Sequence, residues 1–337
     1  MFDTVPLVEL TRGSQLEVIY RGAIAVVNAH GELIASAGDP NLTTFLRSSA
    51  KPFQLLPLVE SGAADRFGFS ERELAVMAAS HNGEEFHVQA VTGILQRLGL
   101  DVNALQCGTH APSYPPAARA LEEAGQQPNA LHNNCSGKHS GMLAQCLDRK
   151  LPIKSYLDPH HPIQITIKQT LAEMAGVSPD SIGLGTDGCS VPTFAIPLAA
   201  SALAFARLAD PSQFGQPRSS ALNRIASAML AYPEMVGGTK RLDTDVMRAG
   251  KGRVVVKGGA EGYYGIGIRP LGLGVALKLE DGDAGRGRNA VVVEVLRQLG
   301  ALDDEGSGAL QRYAAGPIKN LRGLTVGQVR PCFQLAR

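Results

Sequence analysis

Charge of one sign is what this chain lacks most plainly: 32 lysines and arginines against 31 aspartates and glutamates leave a formal net charge of +1. No basic run appears either, so nothing draws the protein to nucleic acid or to an anionic membrane surface. Long hydrophobic runs are missing too. The longest, such as Phe194 to Leu208, are too short or too interrupted to span a bilayer. The opening Met1-Phe-Asp-Thr-Val-Pro6 has no charged segment followed by an apolar one, so no secretory signal is expected. Cysteine is sparse, odd in number and scattered, at Cys107, Cys135, Cys146, Cys189 and Cys332. That usage points to reduced thiols or metal ligands in a cytoplasmic protein, not to a disulfide framework.

What remains is an ordinary globular composition, 44% hydrophobic and 19% charged over 337 residues, enough to bury a full core. Leu16–Tyr20 and Ala23–Val27 are β-rich, and Asn28-Ala-His-Gly31 turns the chain into Glu32–Ala35, a hairpin signature. Helical spacing follows over Glu85–Leu98, Pro115–Ala124 and Met142–Lys150, and after Pro162. Ile182–Ser190 reads as a strand passing into a turn. The alanine-rich Phe194–Leu208 and Ser220–Tyr232 read as helices. Val254–Val256, Tyr264–Ile268 and Gly274–Leu279 read as strands, and Asn289–Leu299 as a last helix. With no repeat or linker, the expectation is one domain over 1–337. It would be α/β, a mixed α+β sheet flanked by helices, with a mainly helical region at about 84–232 inserted between the sheet-forming segments.

Within this frame stands Ser48-Ser-Ala-Lys51. A serine hydroxyl is a weak nucleophile that needs a base, and residues three apart on a helix share a face. The plain alternative is a helix start with Ser48 at the cap and Lys51 in solvent. Two later motifs favour chemistry: Ser80-His-Asn82, and Lys257-Gly-Gly259 at the end of a strand. Serine penicillin-recognising enzymes use Ser-x-x-Lys, Ser-x-Asn and Lys-Thr-Gly in this order. Gly258 stands where they have threonine, which counts against a penicillin-type substrate. Cys135 and Cys189 are candidate zinc thiolates, for which the residues alone suggest His139 or His132 as a third ligand. Cys107-Gly-Thr-His110 reads as a turn with a hydrogen-bonded histidine. His160 and His161 read as cap or surface residues, and Cys146 and Cys332 as small apolar ones.

Taken together, Arg47–Gln54, Ser80–Glu84, Cys107–His110, Asn134–Met142, Gly185–Pro192 and Gly259–Gly262 resemble the rhizobial-type (thermolabile, class 3) L-asparaginase family, over about Leu7–Leu279. The resemblance implies hydrolysis of L-asparagine to L-aspartate and ammonia, a fold similar to serine β-lactamases and glutaminases, a homodimer and a bound Zn2+. It implies Ser48 as nucleophile and Lys51 as its base, with Ser80 and Lys257 as a second serine–lysine pair. It also implies Cys135, Lys138 and Cys189 as zinc ligands, replacing the histidine expectation, with the metal organising the substrate pocket. Arg47, His139 and Asp187 become partners for the substrate's charged ends. A glutaminase, a β-lactamase-like hydrolase and a non-catalytic zinc-dependent binding protein are the alternatives. Nothing is implied for the segment after about Glu280.

Overall fold

The computed structural model describes residues 3–336. Its strands are β1 (Val5–Arg12), β2 (Gln15–Asn28), β3 (Leu33–Ala37), β4 (Thr43–Phe45), β5 (Gly183–Thr186), β6 (Pro192–Pro197), β7 (Val254–Gly258), β8 (Tyr263–Ile268), β9 (Leu273–Leu279), β10 (Gly316–Lys319) and β11 (Thr325–Pro331). The chain packs as two compact units. One runs up to Leu46 and takes in Ile196–Asp210 and the chain from Asp245; the other is Arg47–Ala195 with Pro211–Thr244. The class is the mixed α/β one expected. No helix among the described residues is long and apolar enough to cross a membrane.

The first unit is built on an eight-stranded sheet in the order β10-β11-β1-β2-β9-β8-β7, with β3 also paired to β2. The two β-rich runs expected near the start are one strand, β2, whose second half from Gly22 is buried while its first half projects into solvent. Antiparallel pairing brings Val26 opposite Val275 of β9, joining segments some 250 residues apart in sequence. The helix Leu198–Ala209 lies on β9 and β8. It can approach closely because both surfaces are small. A Cβ on Gly274 would stand 1.9 Å from the Ala202 carbonyl oxygen, and one on Gly265 would meet the Phe205 ring at 2.0 Å. The helix Arg286–Gln298 packs on β1 and β11 through buried valines and leucine at 291, 292, 295 and 296.

The second unit is helical and centres on Lys51–Glu60. This helix is buried along nearly its whole length, and helices Glu71–Met77, Ser136–Asp148, Pro162–Ala175 and Arg218–Ala231 pack around it. Arg218 ties the outer helices down, its Nε donating to Glu60 at 2.9 Å and its other end pairing with Glu173. A short hairpin, β5 with β6, sets Gly183 opposite Ala195.

Two expectations change. The Phe194–Leu208 run is not one helix: β6 holds it extended to Pro197, which caps the helix starting at Leu198. Proline supplies no N–H and biases Ile196 before it away from helical backbone, so composition is overruled locally. The hairpin β10–β11, which extends the sheet beside β1, was not anticipated at all.

The glycine face of the sheet gives a direct test. Gly274→Ala is expected to cost about 1–3 kcal/mol or more, because neither the helix backbone nor β9 can yield 1 Å cheaply. Gly93→Ala, in helix Glu85–Arg97 with open space around its position, is expected to add about 0.5–1 kcal/mol. Urea unfolding midpoints read both; equal midpoints for the two variants would contradict the packing described.

Candidate active site

The entry to the central helix is strained. Arg47 has φ of +51°, a backbone conformation uncommon for a residue with a side chain. The 3-10 turn Arg47–Ala50 follows, and the α-helix proper starts at Lys51, not at Ser48. Pro52 sits in the first turn, where its missing N–H leaves no bond unmade. Ser48 is half-buried in the turn. Lys51 is only 1% exposed, which removes the reading of it as a solvent-facing lysine.

The Lys51 Nζ donates to the Ala79 carbonyl at 2.5 Å, to Ser80 Oγ at 2.9 Å and to the Asn134 carbonyl at 3.4 Å. The serine hydroxyl hydrogen-bonded to Lys51 is therefore that of Ser80. Both acceptor segments are braced. Ser80 follows helix Glu71–Met77, which starts in a capping box between Ser70 and Glu73, and its own N–H donates to the Val236 carbonyl at 2.9 Å. The Asn134 N–H donates to His110 Nε2 at 2.9 Å, while His110 Nδ1 donates to the Ala111 carbonyl at 2.7 Å. The Cys107–His110 turn is thus a strut under the lysine. Gly137 lets helix Ser136–Asp148 lie flush on Val76, whose carbonyl oxygen would be 2.0 Å from any Cβ there.

Cys135 precedes that helix, Lys138 lies in its first turn, and Cys189 lies in the loop of the β5–β6 hairpin. The loop closes through Asp187 N–H to Val191 O and Ser190 N–H to Asp187 O, with Ser190 at φ +74°. Lys138 Nζ donates to Cys189 Sγ at 2.9 Å. The Cys135 thiol is held well below its ordinary pKa, first by the Cys189 hydrogen bond and then, against burial, by the charges of Lys51 and Lys138. Cys189, donating that bond and buried, is pushed up. Burial alone would discharge Lys138, but Cys135, Cys189 and Asp187 raise it. Asp187, despite its own burial, is lowered by Lys138 and by Arg47, whose Nε donates to Asp187 Oδ1 at 2.8 Å. Charged groups of opposite sign follow one another from Arg47 through Asp187 to Lys138, beside the two cysteine sulfurs.

Among the described residues no group of three or more His, Cys, Asp and Glu side chains is placed to hold a metal. The Cys135–Lys138–Cys189 set offers two sulfurs and an amine instead. Its donor chemistry fits zinc, since all three converge and are buried, and Lys138 and Cys189 carry protons that a metal could displace. His132 takes no part in this set: its Nδ1 is tied to Asn129. His139 Nδ1 lies 2.6 Å from the Tyr156 hydroxyl, and its buried Nε2 has no hydrogen-bond partner among the described residues. Burial and then Lys138 and Lys51 keep its imidazole neutral, far below the usual histidine pKa. His161 caps helix Pro162–Ala175 as expected. Lys257 belongs to the sheet unit, at the end of β7, where it is fully buried and donates to the Gly258 carbonyl at 2.8 Å. Tyr156 is a site neighbour to which no motif pointed, while His110 is the hydrogen-bonded histidine expected of its turn and Asn134 falls in the Asn134–Met142 block. Their bonds join segments far apart in sequence.

A cavity of about 450 Å³ lies elsewhere in the helical unit, lined by Glu60, Gln145, Glu173 and Arg218 among others; none of the candidate residues borders it.

The chain is an amidohydrolase. It belongs to the L-asparaginase II family, whose profile matches residues 8–331. Comparison with curated proteins gives no match. Solved structures of similar fold include Mglu, at 15% identity over 83% of this chain and 67% of that one with a TM-score of 0.45. Mglu in its glutamate form gives 14% identity over 83% of this chain and a TM-score of 0.46, and the chain covers 61% of its length. A β-lactamase from Mycobacterium bovis gives 14% identity, coverage of 82% and 94%, and a TM-score of 0.42.

The buried histidines around the site give a pH prediction. His87 accepts from the Glu84 N–H and donates through Nε2 to the Glu234 carbonyl, and burial lowers its pKa to about 4. An unfolded histidine binds its proton near pH 6.5, so the folded state loses stability as pH falls from about 6.5 to about 4. This histidine alone contributes on the order of 3 kcal/mol to that loss. An NMR titration of His87 with a midpoint near 6.5 would contradict this account.

Proposed function

We propose that this amidohydrolase cleaves the side-chain amide of L-asparagine to L-aspartate and ammonia, with Ser48 as nucleophile and Lys51 and Ser80 moving the proton. The observation that carries the reading is a buried lysine nitrogen hydrogen-bonded to a serine hydroxyl one helical turn from a second, half-buried serine. To act as base, Lys51 must present a lone pair. The two backbone carbonyls of Ala79 and Asn134 then take its N–H bonds, and the Ser80 hydroxyl faces the lone pair. A proton leaving Ser48 can reach that nitrogen directly or through Ser80.

Ser48 Oγ attacks the amide carbon, the C–N bond breaks as ammonia takes up the proton, and water hydrolyses the resulting ester. Backbone N–H groups stabilise the oxyanion. On its motif alone, Lys257 is included among the residues proposed to move protons. Arg47 and Asp187, joined in an ion pair, are proposed to meet the substrate's carboxylate and ammonium groups, with His139 beside them.

Cys135, Lys138 and Cys189 are proposed to hold Zn2+. Bound there, the ion supplies a fixed positive charge that orients the substrate. Assembly as a homodimer rests on the family resemblance. A cytoplasmic setting draws support from cysteines that are all unpaired.

A second reading takes Ser80 as nucleophile, because Ser80 is the serine that Lys51 touches. Ammonia release from L-asparagine by wild type, Ser48→Ala and Ser80→Ala separates them. We expect Ser48→Ala to lose about 10³-fold or more in kcat, with zinc content unchanged, and no acyl-enzyme on rapid quenching. An acyl-enzyme that survives in Ser48→Ala but not in Ser80→Ala would move the nucleophile to Ser80. Cys135→Ser should lose zinc while its far-ultraviolet spectrum stays native. Full activity in that metal-free variant would confine the metal to a structural part.

A further inference from the structure

Tyr156 is fully buried, and its hydroxyl accepts a hydrogen bond from the Gln106 N–H at 2.9 Å. Burial keeps the phenol protonated, so its own O–H must donate. Among the described residues the acceptor in reach is His139 Nδ1, at 2.6 Å. A nitrogen that accepts carries no proton, and a neutral imidazole then carries its proton on the other nitrogen. We infer that Tyr156 is a positioning residue that locks His139 in its Nε2–H form, so that this N–H is reserved for an oxygen of the substrate.

Contrast with four other buried or site histidines supports the assignment. His81 accepts from the Gly83 N–H at Nδ1 and pairs Nε2 with Ser136 Oγ at 2.9 Å. His87, His110 and His161 likewise have partners at both ring nitrogens. Among the described residues His139 has a partner at Nδ1 alone, and its Nε2 is buried without one. Buried N–H groups in folded proteins almost always find an acceptor, so one left open beside a candidate site calls for an acceptor that binds there. His139 directly follows Lys138 in helix Ser136–Asp148, in the turn that carries the amine–thiol cluster. A neutral N–H there suits a carboxylate or amide oxygen. Tyr156 is 17 residues downstream in sequence.

The inference rests on the proposed asparagine site only for the identity of the oxygen. The experiment therefore reads the imidazole directly. In the full-length protein with ¹⁵N-labelled histidine, two-bond proton–nitrogen correlations should show His139 with a bare Nδ1 and a protonated Nε2. Titration with the product L-aspartate should shift the Nε2–H resonance. Tyr156→Phe should convert His139 to a mixture or to the Nδ1–H form and raise KM for L-asparagine about tenfold, the size of one hydrogen bond to a charged oxygen, with a smaller change in kcat. His139→Gln keeps an N–H donor without a tautomer, so adding Tyr156→Phe to it should cost no further KM.

An Nδ1–H form in the wild type, no aspartate-dependent shift, or an unchanged tautomer in Tyr156→Phe would each overturn the inference. If Tyr156→Phe fails to fold, the two wild-type readouts still decide. Lack of asparagine turnover with the Nε2–H form present and shifted by aspartate would fault the proposed reaction, not the lock.

Discussion

A lysine nitrogen taken out of water must find acceptors, and the helical unit is arranged around Lys51 finding them. Its bonds to Ala79, Ser80 and Asn134 reach two segments of chain outside its own helix. Each is fixed in turn: Ser80 by Val236, Asn134 by His110, and the start of helix Ser136–Asp148 by the contact of Gly137 with Val76. A half-satisfied buried amine would be costly, so these struts and the central helix stand or fall together. The position of Ser80 beside Lys51 is thus set by core packing as much as by the site itself.

How much of this was legible in the sequence follows from the range of the interactions. Strands β7 to β9 and the helices Glu85–Arg97 and Pro115–Glu123 follow hydrophobic period and turn residues, which are local. The Ser48/Lys51 spacing was legible because one helical turn makes it. What the motif could not show is that the helix begins one turn late, so that Lys51 meets Ser80 across 29 residues of sequence. Two proline-bracketed ends of β6 overruled an alanine-rich composition that reads as helix. The β10–β11 hairpin escaped notice because it is an edge element, half-exposed and short of apolar alternation. Tyr156 was invisible as a site residue, and the Lys51–Ser80 contact as a pairing, because the partners are tertiary.

The amine–thiol cluster adds a further constraint. A Cys135 thiol held well below its ordinary pKa needs positive charge beside it, which Lys138 supplies when no metal is bound. A histidine in place of Lys138 would be discharged by burial, as His81 and His139 are. With no metal it would leave the sulfur unbalanced. Small metal domains commonly fold only when the metal binds. Here the proton on Lys138 does that work, with Asp187 and Arg47 extending the alternation of charge to the strained turn before Ser48. The hairpin loop carrying Asp187 and Cys189 is therefore tied to the Arg47 turn by an ion pair and to helix Ser136–Asp148 by the Lys138–Cys189 hydrogen bond. The zinc proposed at this site would exchange protons for an ion within an arrangement already formed.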